Sequence, residues 1–248
     1  MTTTVGVSLK MYFGHSEALD WCERVASIAR SHSAVQSGEV ELFVIPSFVS
    51  IPGALTALAD TPVVVGAQDL ASADRGAFTG EVSGLELTEM GVGVVEVGHA
   101  ERRRIFGESD AIVASKTTAA LRNRIAPVLC LGETERLDAD AAAAVCVAQL
   151  ASALADAPDG RVIVAYEPVW AIGAAEPAAP LHIRAVCARL RTAIDAYPGH
   201  AGSIIIYGGS AGPGLLATLG DDVDGLFLGR FAHDTDALRS VLDEAAAR

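Results

Sequence analysis

The chain is short of several things at once, and each shortage narrows what it can do. Only 18 of its 248 residues are Lys or Arg, against 31 Asp or Glu, for a formal net charge of −13. A nucleic-acid partner needs a basic face for its phosphates, so this balance argues against nucleic acid. An anionic small molecule would have to be held by local groups against the overall field. No uninterrupted apolar run reaches the roughly 18 residues of a membrane span, so no membrane partner is expected. The segment Met1-Thr-Thr-Thr-Val-Gly6 has no basic stretch and no apolar stretch of signal-peptide type, so the expected location is cytoplasmic. The four cysteines, Cys22, Cys130, Cys146 and Cys187, form no C-x-x-C pair and have no metal-ligand spacing. They read as small buried residues of a reduced compartment, and no metal is expected. Aromatic residues make up 5% of the chain, so a core must be built from Val, Ile, Leu and Ala, which suits a parallel sheet wrapped by helices. There is no Pro-, Gly- or Ser-rich linker and no break in composition, so 1–248 reads as one domain.

What the chain does have is alternation. Short, continuous apolar runs recur at Val5–Leu9, Leu42–Ile45, Val63–Val65, Val92–Val97, Ile125–Cys130, Val162–Tyr166, Ile204–Tyr207 and Gly225–Leu228. Continuous rather than alternating runs fit strands buried on both faces. Helical patterns lie between them, over Ser16–Arg30, Ser109–Arg122, Asp138–Ala155, Leu181–Ala196 and Asp234–Ala247. The first carries Leu19, Cys22, Val25, Ile28 and Ala29 on one face, and Asp234 reads as an N-cap. Eight strand and helix alternations predict an α/β fold, a single (β/α)8 barrel of the TIM type. An open doubly wound sheet is the alternative. It would need a G-x-G-x-x-G turn after the first strand to hold a dinucleotide, and the residues there are Ser8-Leu-Lys-Met-Tyr12, so no such cofactor is expected.

In barrels of this kind, chemistry sits at the C-terminal strand ends. Those ends read Lys10, Gln68, His99 with Glu101, Glu133, Glu167, Ser210 and Gly229-Arg230. Any one of these is an ordinary strand-end residue. An acid, an imidazole, a cation and two small-residue turns at successive ends of one rim are a site.

The blocks Gly98-His-Ala-Glu-Arg-Arg103, Ala165-Tyr-Glu-Pro-Val-Trp-Ala-Ile-Gly173, Gly66-Ala-Gln68, Gly76-Ala-Phe-Thr-Gly-Glu81, Cys130-Leu-Gly-Glu133 and Tyr207-Gly-Gly-Ser210 resemble triosephosphate isomerase, from the first strand to the last. That enzyme is a worked case of a carboxylate base, a neutral imidazole and a closing loop. The resemblance implies Glu167 as the base that moves a proton between adjacent carbons of an enediol(ate). It implies His99 as the electrophile, placed at the N-terminus of a short helix Ala100–Phe106 where the imidazolium is disfavoured. It implies Lys10 as the cation that offsets phosphate and oxyanion charge. Gly173, Ser210 and Gly229 match phosphate-gripping positions, and Pro168 to Ala178 matches the lid. Glu101 matches a partner residue, for which a plain salt bridge to Lys10 or Arg102 is an equal alternative. Cys130 reads as packing. No metal or organic cofactor is implied.

The chain departs from the family pattern at both ends of the site. The first strand ends Ser8-Leu9-Lys10 where the family has Asn-x-Lys, and the last turn reads Gly229-Arg-Phe-Ala232 where the family has Gly-Gly-Ala-Ser. The lid tip, Gly173-Ala-Ala-Glu-Pro-Ala-Ala179, lacks the family's Gly-Thr-Gly-Lys run. Ser8 with Gly-Arg-x-Ala resembles the tetrulose-phosphate branch of the superfamily, the L-erythrulose-1-phosphate isomerases. The expected reaction is then L-erythrulose 1-phosphate to D-erythrulose 4-phosphate, with ordinary triosephosphate isomerisation as the alternative and a catalytically silent phosphate-binding barrel as the non-enzyme alternative. Ser8 would give room for the added hydroxymethyl group. Arg230 would hold its hydroxyl or reinforce the phosphate grip, or else point outward to an acid such as Asp234. The loop Asp69 to Gly80 matches the family's subunit-docking loop, so a homodimer is expected, with Thr79 reaching Ser8 of the neighbouring subunit.

Overall fold

A computed structural model describes residues 2–248. Eight parallel strands close into a barrel in chain order: β1 (Thr3–Ser8), β2 (Val40–Ile45), β3 (Val64–Ala67), β4 (Val94–Val97), β5 (Ala126–Leu131), β6 (Ile163–Tyr166), β7 (Ile204–Tyr207) and β8 (Gly225–Leu228). β8 returns to β1 in parallel register, Thr4 beside Gly225 and Val7 beside Leu228. Each predicted run holds a strand; the last two match to the residue, and the others are displaced at one or both ends by a residue or two because pairing rather than hydrophobicity sets the ends.

The helices are α1 (His15–Ser31), α2 (Ser33–Ser37), α3 (Ile51–Ala57), α4 (Gly84–Met90), α5 (Ala100–Phe106), α6 (Asp110–Arg122), α7 (Ala139–Leu154), α8 (Pro180–Asp195), α9 (Leu215–Leu219) and α10 (Thr235–Ala246). The five long patterns correspond to α1, α6, α7, α8 and α10. Their starts are chemical. Ser109, Asp138 and Asp234 each accept a hydrogen bond from the backbone N–H two or three residues on, satisfying donors that a helix end leaves free. Pro180 sits at the first position of α8, where its fixed φ suits the helix and its missing N–H has no partner to lose.

Side chains alternate between two cores. On β4, Val95 and Val97 face the layer between barrel and helices, while Val94 faces the barrel interior with Phe43, Ile45, Val128, Ile163 and Phe227. No helix among the described residues is long and apolar enough to cross a membrane.

Candidate active site

The C-terminal ends of the strands surround a cavity of about 670 Å3. Nine of the residues expected from the sequence line it: Ser8, Lys10, His99, Glu101, Glu167, Gly173, Ser210, Gly229 and Arg230.

Glu167 follows β6 directly, and its backbone N–H donates to Leu131 O at 2.7 Å, extending the β5–β6 ladder by one residue. The side chain is 6% exposed, and Oε2 has no hydrogen-bond partner among the described residues. A buried, unpartnered carboxylate oxygen is costly unless something else occupies its place during function. Gly208 makes the room: a Cβ there would fall 2.4 Å from Glu167 Oε1.

His99 caps α5. Its Nδ1 accepts a hydrogen bond from Glu101 N at 3.1 Å, so that nitrogen cannot carry a proton. The ring is then neutral with its proton on Nε2. That nitrogen faces Glu167 Oε2 at 3.6 Å and Glu96 Oε1 at 3.9 Å. The imidazole is thereby fixed as a donor by backbone geometry.

Lys10 takes a left-handed backbone conformation, φ 48°, and Ser210 another, φ 52°. Such conformations are strained for residues with a Cβ and gather at functional sites. Gln68, the strand-end amide noted in the sequence, supports the first of them. Its Nε2 donates to Lys10 O at 2.7 Å and to Ile45 O at 3.3 Å. Lys10 Nζ donates to Glu101 Oε1 at 2.9 Å. Burial opposes the charge on Lys10, but the hydrogen bond to Glu101 and the fields of Glu167, Glu101 and Glu96 outweigh it and hold the ammonium above the usual lysine value. Of the two salt bridges open to Glu101, the one to Lys10 forms; Arg102 pairs with Asp69 and Glu108 instead.

Arg230 opens a short 3-10 turn, Arg230–His233, which Trp21 anchors by donating from Nε1 to Ala232 O at 2.9 Å. Arg230 faces the cavity, not Asp234, which is engaged in capping α10. A Cβ on Gly173 would lie 3.6 Å from the Arg230 Nη2, so the cation reaches the lid.

The lid segment lies over the cavity, with Ile172, Gly173, Ala174 and Ala175 in its lining. Tyr207 Oη accepts from Ala178 N at 3.0 Å, and Ser210 Oγ donates to Ala171 O at 2.8 Å and to Ala174 O at 3.0 Å. Glu133, read from the sequence as a rim acid, lies outside the cavity. It accepts from Trp170 Nε1 at 2.8 Å and from Tyr166 Oη at 3.3 Å, and so anchors the hinge. The strand-end reading went wrong there because position at a strand end says nothing about which face a side chain takes.

One residue escaped the sequence reading. Glu96, in the middle of β4, is 4% exposed and accepts a hydrogen bond from Ser8 Oγ at 2.9 Å. The signal was a lone acid inside the apolar run Val94-Val-Glu-Val97. Cys130 lies close by. Burial first, and then the fields of Glu167 and Glu96, push its thiol far above the usual range, so it is a poor nucleophile and packs.

An unpartnered carboxylate, a neutral imidazole donor and a cation around one cavity can take a proton from a carbon beside a carbonyl and stabilise the oxyanion that forms.

The family model for triosephosphate isomerase matches residues 3–245. The chain is 52% identical over 246 residues to an L-erythrulose-1-phosphate isomerase of Pectobacterium atrosepticum, covering 98% of this chain and 95% of that protein. It is 39% identical over 252 residues to an L-erythrulose-1-phosphate isomerase of Mesorhizobium japonicum, covering 98% and 97%. It is 36% identical over 242 residues to a triosephosphate isomerase of Roseiflexus castenholzii, covering 94% and 93%.

Proposed function

The chain belongs to the triosephosphate isomerase family, and from that premise we propose that it converts L-erythrulose 1-phosphate to D-erythrulose 4-phosphate. The observation that carries this reading is that Ser8 and Arg230, its departures from the ordinary family pattern, line the same cavity as Glu167, His99 and Lys10. The chemistry supports it. The four-carbon ketose phosphate is dihydroxyacetone phosphate with one more hydroxymethyl group on the carbon to be deprotonated. Glu167 removes the proton from that carbon and returns it to the neighbouring one. His99 Nε2–H polarises the carbonyl, and Lys10 offsets the oxyanion and phosphate charge. Gly173, Ser210 and Gly229 hold the phosphate while Arg230 closes on the substrate beneath the lid. Glu101 keeps Lys10 extended into the cavity. The lid excludes water and protects the enediol.

The test is kcat/KM on both substrates. Because one small group discriminates by only about 10- to 200-fold, the four-carbon substrate is expected to be preferred within that range, with measurable residual activity on dihydroxyacetone phosphate. Equal or better turnover of the three-carbon substrate overturns the reading.

The same reading includes a homodimer formed through the loop Asp69 to Gly80 in the cytoplasm. Residues 75–80 are exposed, with Phe78 at 53% and, beside the cavity, Met11 at 92%, which is apolar surface of the kind that partners cover. Thr79 is free to reach Ser8 of a second copy. Sedimentation at micromolar concentration is expected to give twice the chain mass, and a single monomeric boundary rejects the dimer.

A further inference from the structure

Glu96 has no part in the proton transfer described above, yet it stands among the groups that perform it. By the two-residue period of a strand it points into the barrel on the same side as Val94, on top of an apolar stack. A carboxyl there is unfavourable unless it is hydrogen-bonded. It has one such bond: Ser8 Oγ donates to Oε2 at 2.9 Å. Oε1 takes no hydrogen bond among the described residues and stands 3.9 Å from His99 Nε2. Ser8 in turn lines the cavity, whereas Glu96 lies behind it.

A serine hydroxyl has one proton and two lone pairs. With its proton committed to Glu96, Ser8 presents only acceptor character to the cavity. A ligand group meeting Ser8 must therefore be a donor, and a terminal hydroxyl is the donor that the fourth carbon adds.

We propose that Glu96 and Ser8 form the specificity element for the four-carbon substrate, Glu96 acting as the positioning residue that turns Ser8 Oγ into the acceptor for the terminal hydroxyl. This rests on the substrate reading above. A three-carbon substrate has no group to place there, so the pair leaves its binding nearly untouched. Burial is the first cause raising the Glu96 carboxyl above the usual range, and the field of Glu167 adds to it, while His99, Lys10 and Ser8 oppose.

The experiment compares wild type, Glu96→Gln, Ser8→Ala and the double variant on both substrates. Glutamine keeps the volume of Glu96 but brings an amide donor that competes for Ser8. Each single variant is expected to lose about 10- to 100-fold in kcat/KM on L-erythrulose 1-phosphate, carried mainly by KM. The loss on dihydroxyacetone phosphate is expected to be at least tenfold smaller. The double variant should fall no further than the worse single one, because both changes remove the same interaction. Equal losses on the two substrates, a loss carried by kcat alone, or additive losses in the double variant overturn the assignment, since general disturbance of Glu167 or His99 gives those patterns. Ser8→Ala introduces no change in buried charge and carries the test if Glu96→Gln folds poorly. A wild type that prefers the three-carbon substrate overturns the substrate reading itself. A wild type that prefers four carbons, with variants that lose both alike, overturns only the role of Glu96 and Ser8.

Discussion

Glu167→Gln is expected to lower kcat by about a thousandfold, roughly 4 kcal/mol of barrier, with KM changed far less. The amide keeps the shape of the side chain and the space that Gly208 leaves for it, so the loss isolates proton transfer. Glu167 Oε2 is the one oxygen of the rim's acids that is buried without a partner and also faces the donor nitrogen of His99, at 3.6 Å. The measurement is steady-state turnover together with exchange of the substrate's carbon-bound proton into heavy water, followed by NMR. Both should fall together. Retention of activity within tenfold would move the base elsewhere, and Glu101 is the other acid that lines the cavity.

The second large effect is on stability. Lys116 is 6% exposed and donates to Asp69 Oδ1 at 2.6 Å, Asp69 Oδ2 at 2.7 Å and Glu108 Oε1 at 2.6 Å. Arg102 binds the same two acids, Asp69 Oδ2 at 2.8 Å and Glu108 Oε1 at 2.6 Å. Two cations and two acids balance between α6, the start of α5 and the loop that follows β3, with Lys116, Asp69 and Glu108 buried and Arg102 at the edge of solvent. Lys116→Met fills the space but leaves two buried acids to one arginine. Breaking a buried pair by removing one partner typically costs about 3–5 kcal/mol. The urea midpoint of the variant should drop accordingly with little change in slope. A shift worth under about 1 kcal/mol would mean that the network is solvated in solution, as surface pairs are. Asp69 also begins the loop assigned to the dimer, so loss of the network should weaken dimerisation as well.

The sequence made the barrel legible because a buried parallel strand has to be continuously apolar, and each such run is short and separable. The family resemblance made α5 legible to the residue, and in the structure Gly107 ends it in a left-handed turn after Phe106. The sequence did not show α2, α3, α4 or α9. These are five to seven residues long, and α3 contains Pro52 and Gly53, so no periodicity could develop in them. Lys10, His99 and Glu167 were legible because a strand end points its next residues at the rim. The contacts of Glu133 were not legible and Glu96 went unseen, because their roles depend on which face of the barrel wall a side chain takes and on what stands across from it. Glu133 turns outward to Trp170, and Glu96 turns inward to Ser8. Nothing in the structure explains why the lid tip carries Glu176 and Pro177.

The seam between β1 and β8 has a bearing on how the protein comes to be folded. β1 is made first and β8 almost last, yet they are neighbours: Thr4 pairs with Gly225, where a Cβ would fall 1.7 Å from Thr4 O. During synthesis the outer edge of β1 waits, unpaired, until β8 has been made. An open strand edge is a template for pairing with another chain. The nascent protein is therefore exposed to aggregation until β8 pairs, and a bulkier residue at 225 would act at that step, by keeping the barrel from zipping shut.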